Sequence, residues 1–93
     1  MDPNDPTNCN KLGITLKALG RLEEAESSYK QAILIKPDYA EEHNNLGNTL
    51  KALGRLEEAE SSYKQAILIK PDYAEAHNNL GNTLKALGRL EEA

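Results

Sequence analysis

The chain has 93 residues, with 11 Lys and Arg against 15 Asp and Glu, for a formal net charge of −4. That acidic balance excludes a non-specific nucleic-acid binder, which needs a basic face to meet phosphates. A mean hydropathy of −0.67, without a long uncharged apolar run, excludes a transmembrane span.

Met1-Asp2-Pro3-Asn4-Asp5-Pro6 has neither the basic start nor the apolar core of a signal peptide, and one cysteine rules out an intrachain disulfide. The expected setting is cytoplasmic, with no membrane and no nucleic acid as partner. An apolar content of 39%, with no Trp and no Phe, predicts a thin, layered core instead of a single compact one.

The sequence repeats itself. Gly13, Gly47 and Gly81 recur at a step of 34 residues, as do Gly20, Gly54 and Gly88 and the pairs Tyr29/Tyr63, Pro37/Pro71 and Tyr39/Tyr73. Residues 15–41 return unchanged as 49–75, and 40–59 return as 74–93 with Ala76 in place of Glu42. A fixed period of this size marks a stacked array of units. The units run over 6–39 and 40–73, followed by a truncated third over 74–93.

Each unit reads as two helices. The opening copy has Asp5 as a cap and Pro6 at the first helical position, the place where a missing N–H costs nothing. In the second unit the first helix is predicted from about Tyr39 to Leu53. Asp38 is expected to cap it and Glu41 to complete a capping box, with Asp72 and Glu75 repeating the pair in the next unit. Pro37 and Pro71 end the helices before these caps. Leu46, Leu50 and Leu53 make one apolar stripe, and Gly54 stops the helix in a left-handed conformation.

The second helix is predicted from about Leu56 to Ile69, with Leu56, Ala59, Tyr63, Ala66 and Ile67 as its stripe. Glu57, Glu58 and Glu60 near its start and Lys70 at its end suit the helix dipole, although Arg55 is a poor cap. The short link forces an antiparallel pair. Gly47 and Ala59 are the small residues expected to let the two backbones approach, since a mid-helix glycine costs about 1 kcal/mol against alanine. The third unit repeats the first helix over Tyr73 to Leu87 and begins another at Arg89 to Ala93.

In register, the second unit carries His43, Leu46-Gly47, Leu50, Ala59, Tyr63 and Pro71. The first carries Cys9, Leu12-Gly13, Leu16, Ala25, Tyr29 and Pro37, and the third His77, Leu80-Gly81, Leu84 and Ala93. This pattern resembles the tetratricopeptide repeat over almost the whole chain. Cys9 and the two histidines stand where that family often has Trp, a change of bulk and not of pattern. The resemblance implies an all-α solenoid of antiparallel helix pairs in a right-handed superhelix, five helices plus a short C-terminal stub, in one array over 1–93. It also implies a non-enzymatic scaffold that holds an extended peptide or partner segment in a concave groove lined by the first helices, with no cofactor and no metal.

On that resemblance the groove is lined by Asn10 and Lys17 from the first unit, with Lys11 and Ile14 beside them. The second unit adds Asn44, Asn45, Asn48 and Lys51, flanked by Glu41 and Ala52, and the third adds Asn78, Asn79, Asn82 and Lys85, flanked by Glu75 and Ala86. Asparagine both donates and accepts, so a ladder of amides suits an extended peptide backbone. The alternative is that Asn45 and Asn79 bond neighbouring helix backbones and only orient the repeats. Family members that grip acidic chaperone tails use a clamp of Lys, Asn, Asn, Lys and Arg. Those positions hold Asn10, Ile14, Asn45, Glu75 and Asn79 here. Without the basic members a carboxylate loses its charge-assisted bonds, so such tails are not expected to bind.

Cys9, His43 and His77 occupy equivalent places in successive units, too far apart for one zinc ion and expected to serve packing. Ser27-Ser28 and Ser61-Ser62 read as solvated helix faces. Leu34 and Leu68 add an apolar residue beyond the stripe and are expected to be exposed. The abrupt stop at Ala93 reads as truncation, leaving Leu80, Leu84 and Leu87 without a covering helix. Two alternatives follow: a self-associating module, dimeric or helix-exchanged through that end, and an N-terminal accessory part of a larger enzyme.

Overall fold

The computed structural model describes residues 5–88. Its helices are α1 (Pro6–Ala18), α2 (Leu22–Ile35), α3 (Ala40–Ala52), α4 (Leu56–Ile69) and α5 (Ala74–Ala86). No strand occurs among the described residues. The stub expected over 89–93 lies outside them. Each helix packs on the next, and α3 also touches α1 and α5. The first helix of each unit therefore meets the first helix of its neighbours, which makes one side of the stack a wall of α1, α3 and α5.

The chain enters α1 as its sequence requires. Asp5 accepts a hydrogen bond from the Thr7 N–H at 2.9 Å, with proline in the first turn. The entries to α3 and α5 differ from expectation. Tyr39 and Tyr73 occupy the cap positions, and neither side chain caps a backbone N–H of the first turn. The capping boxes predicted from Asp38 with Glu41, and from Asp72 with Glu75, are not formed. Each helix starts one residue too late for the aspartate to reach it, and Asp38 instead lies 3.4 Å from the Lys36 ammonium.

The exits are regular. Gly54 has φ +82°, and Gly20 and Gly88 have similar positive values. The Gly54 N–H bonds the Lys51 carbonyl and the Arg55 N–H bonds the Leu50 carbonyl, at 3.0 and 2.9 Å. This closing pattern satisfies carbonyls that a helix end leaves open. It turns the chain back within three residues, 53–55, so α4 runs antiparallel to α3.

The core is a thin seam of Leu16, Ala25, Tyr29, Leu46, Leu50, Ala59 and Tyr63. The small residue that matters most in each hairpin faces an aromatic ring. A β-carbon on Gly13 would lie 2.6 Å from the Tyr29 ring, and one on Gly47 would lie 2.6 Å from the Tyr63 ring. The close approach expected between Gly47 and Ala59 is thus an approach of Gly47 to tyrosine. Ala59 is itself fully buried.

Two kinds of polar contact join neighbouring units. Arg55 donates to Glu26 on α2 at 2.7 Å, while Glu26 also pairs with Lys30 at 2.8 Å. Burial pushes the Glu26 carboxyl up, but hydrogen bonds from Lys30 and Arg55 outweigh it and hold the group below the usual carboxylate range. Asn45 donates to the Asn10 side chain at 2.8 Å, and Asn79 donates to the Asn44 side chain at 3.1 Å.

Glu42 is the exception to this pairing. It is 0% exposed, and neither carboxylate oxygen has a hydrogen-bond partner. Burial, followed by the nearby Glu41 charge, pushes its carboxyl up to about 8. Ala76, the residue that replaces it in the next unit, is equally buried and fits without a polar atom to satisfy.

Candidate functional site

The wall of first helices is built from positions on α1, α3 and α5 that the leucine stripe leaves free. At its first junction Ile14, Lys17, Ala18, Tyr29, Asn45 and Asn48 surround an open cavity of about 290 Å³. Four of these residues, Ile14, Lys17, Asn45 and Asn48, come from the expected groove lining. Ala18 and Tyr29 do not. Tyr29 reads as core from its helical spacing, and its ring is 1% exposed, yet its edge forms part of the cavity wall.

The asparagines divide into two groups. Asn10 and Asn44 are buried at 6% and 1% exposure. They serve as acceptors for Asn45 and Asn79, so these four amides hold one unit to the next. The bonds run between side chains, not to neighbouring helix backbones. Asn10 also donates to Glu41, which accepts from the Tyr39 hydroxyl as well, at 3.3 and 3.4 Å. Asn45 and Asn79 retain partial exposure. Asn48 is half-buried and accepts from the Tyr63 hydroxyl at 2.5 Å, which fixes its orientation. Asn78 and Asn82 are exposed.

Lys17 and Lys85 are exposed and Lys51 is half-buried, and no ion pair holds any of them among the described residues. Lys30, Lys36 and Lys64, by contrast, are each paired with an acidic side chain. Lys17, Lys51 and Lys85 thus recur at one place on the first helices, in a chain whose net charge is negative, while Lys11 on α1 and Lys70 after α4 also lack an ion pair among the described residues and Lys70 lies over the Tyr73 ring.

The remaining polar candidates serve structure. His43 and His77 each place Nε2 at 2.8 Å from a proline carbonyl, of Pro37 and Pro71 respectively. A carbonyl only accepts, so the ring carries its proton on Nε2 and ties the helix to the preceding turn. Ser27 and Ser61 donate to the carbonyls of Glu23 and Glu57 one turn back. Leu34 and Leu68 are 76% and 75% exposed. Of the three leucines expected at an open end, Leu84 is only 4% exposed, because α5 lays it against α4. Leu80 and Leu87 are partly exposed.

Stacked antiparallel helix pairs with a polar, cation-bearing wall of first helices define a helical-repeat scaffold for protein interaction. The TPR repeat family model matches residues 13–54 and again 47–88, and the protein belongs to that family. The family is typically a non-enzymatic interaction module. No curated protein matches the sequence significantly.

Among solved structures, a crystal structure of MamA aligns with a TM-score of 0.94 at 23% identity, covering 98% of this chain and 53% of the other. The chain thus spans about half the length of that protein. The first TPR of Spaghetti (RPAP3), bound to the HSP90 peptide SRMEEVD, aligns with a TM-score of 0.90 at 28% identity, covering 94% of this chain and 69% of the other. No helix among the described residues is long and apolar enough to cross a membrane.

Proposed function

We propose that the concave wall holds an extended segment of a partner protein. The observation that carries this reading is the cavity at the first junction, where an apolar floor of Ile14, Ala18 and Tyr29 meets the polar groups of Lys17, Asn45 and Asn48. An apolar side chain of the segment seats on the floor. The amides of Asn48, Asn78 and Asn82 exchange hydrogen bonds with its backbone, and the ammoniums of Lys17, Lys51 and Lys85 donate to its carbonyl or carboxylate oxygens.

The test compares partners captured on a peptide array by the wild type and by a chain with both Asn48→Ala and Asn82→Ala. Loss of most captured peptides is expected; an unchanged set overturns the groove assignment.

The related RPAP3 structure holds SRMEEVD. The clamp that the resemblance describes needs basic groups where this chain has Asn10, Glu75 and Asn79. Asn10 is already engaged between α1 and α3, and Glu75 repels a carboxylate. Titration calorimetry with SRMEEVD is therefore expected to show no saturable heat at moderate salt, and micromolar binding would refute this.

Self-association through the α5 end is a second reading. It is favoured by the partial exposure of Leu80, Gly81 and Leu87. Its signature is a sedimentation coefficient that rises with concentration.

A further inference from the structure

The first turns of α3 and α5 frame another open cavity on the wall of first helices, of about 390 Å³, lined by Tyr39, Ala40, Glu41, Lys70, Tyr73 and Glu75. Its two tyrosines are half-buried, and its two carboxylates and its one ammonium are exposed. The Tyr39 hydroxyl and the Asn10 amide both donate to one oxygen of Glu41, at 3.4 and 3.3 Å, which holds that carboxylate in place. Burial first, then the charges of Glu75 and Glu41, push the pKa of the Tyr73 hydroxyl up. Both carboxylates therefore act on the same ring.

A cation already sits there. The Lys70 ammonium lies 5.0 Å from the centroid of the Tyr73 ring. Its equivalent one unit earlier, Lys36, pairs with Asp38 at 3.4 Å instead. Both lysines open the same run, Lys-Pro-Asp-Tyr-Ala-Glu, so the local sequence does not explain the difference. The neighbouring first turn does. Tyr39 and Glu41 stand beside Tyr73, whereas Asp5 and Thr7 take those places one unit earlier. A ring face flanked by two carboxylates attracts a cation more strongly than a lone, exposed aspartate does.

We propose that this cavity is a binding site for an arginine side chain of the partner segment, with Lys70 as a tethered stand-in that swings out when the arginine enters. The proposal rests on the groove reading for the course of the segment, and adds which residue the segment must carry. The lining favours a guanidinium over an ammonium. Its flat face stacks on Tyr73 while the N–H groups at its edge donate to Glu41 and Glu75. A methylated ammonium takes the ring but leaves the carboxylates without donors. Lys70 is exposed and held by no ion pair among the described residues, so it yields its place without breaking another contact.

The probe is the heptapeptide acetyl-Gly-Ser-Gly-Arg-Gly-Ser-Gly-amide, titrated into the nitrogen-15-labelled chain and followed by amide NMR shifts. Twin peptides carry citrulline or lysine in place of the arginine. The peptide offers the wall nothing but the arginine and its flexible flanks. Its failure therefore leaves the test with Asn48→Ala and Asn82→Ala standing, and a failure of that test leaves this one standing. Saturable shifts confined to residues 39–41, 70, 73 and 75 are expected with arginine, weaker with lysine and absent with citrulline. Glu41→Gln combined with Glu75→Gln weakens the affinity at least about threefold. Lys70→Met tightens it about two- to fivefold by removing the internal competitor. The free variants keep the wild-type spectrum away from the cavity, and the citrulline comparison needs no variant at all. The proposal is overturned by no saturable shift with arginine, by a citrulline or lysine twin that binds as tightly, by an affinity that the double glutamine change leaves intact, or by one that Lys70→Met leaves unchanged or abolishes. Abolition would mean that Lys70 recruits an anion to this place.

Discussion

A β-carbon added to Gly47 would come within 2.6 Å of the Tyr63 ring. The contact explains why glycine stands in mid-helix, where alanine is the better helix former by about 1 kcal/mol. Gly47→Ala is therefore expected to destabilise the chain by about 1–3 kcal/mol despite its propensity gain. The same change at Gly81 is expected to stabilise it by a few tenths to about 1 kcal/mol. Urea denaturation of the two variants gives shifts of opposite sign if the ring contact decides the matter.

Glu42 gives the stability an unusual pH dependence. Its carboxyl is raised from the ordinary value of 4.5 to about 8 in the folded chain. Between those values the folded state holds a proton that the unfolded state has released, so stability falls as pH rises through this window and levels off above it. The full shift corresponds to a loss on the order of 5 kcal/mol. Glu42→Ala, which installs the residue found at Ala76, is expected to stabilise the chain at pH 8 more than at pH 4. Urea midpoints at those two pH values check it, and an equal gain at both would show that ionisation is not the cause.

Glu26 acts in the other direction. Its carboxyl is held below the usual range by Lys30 and Arg55 against the effect of burial, so its contribution is present above the unfolded carboxylate value and is lost as pH falls through the lowered folded one. Arg55→Gln removes the contact between units and leaves only Lys30. The expected effect is a lowered thermal midpoint, and the loss shrinks in high salt because the arginine is partly exposed. Thermal midpoints of wild type and variant at low and high salt measure it.

The amide bonds between units should be worth more than their number. Asn45→Ala removes the donor to Asn10 and leaves that buried acceptor without it, for an expected cost of about 1–2 kcal/mol. Asn82→Ala breaks no side-chain hydrogen bond among the described residues and is expected to leave stability unchanged within about 0.5 kcal/mol. Denaturation of the pair separates amides that hold the stack from amides that face solvent.

Most of the helical layout is legible in local chemistry. Asp5 with Pro6 opens α1, and positive-φ glycines close each first helix, because those signals act over a few residues. The failure at Asp38 has the same scale. A shift of one residue in the helix start turns a capping aspartate into a bystander, and propensity does not resolve one residue.

The site was less legible, since its parts meet only through stacking. Nothing in the spacing of Asn10 distinguishes a groove amide from one buried against Asn45. Likewise, Tyr29 looks like any stripe residue until α3 brings Asn48 beside it. The repeat pattern itself held one clue. Glu42 is the single position at which 40–59 differs from 74–93, and it is also a buried carboxylate without a partner.

The asparagine bonds join residues 35 apart in a sequence whose period is 34. Every such bond therefore links non-equivalent places on neighbouring units. The second unit reaches back with Asn45 and is reached from ahead at Asn44, so donor and acceptor sit side by side on one helix. The pairing can be handed on from unit to unit, like bricks with a peg on one face and a socket on the other, and no residue has to match its own copy.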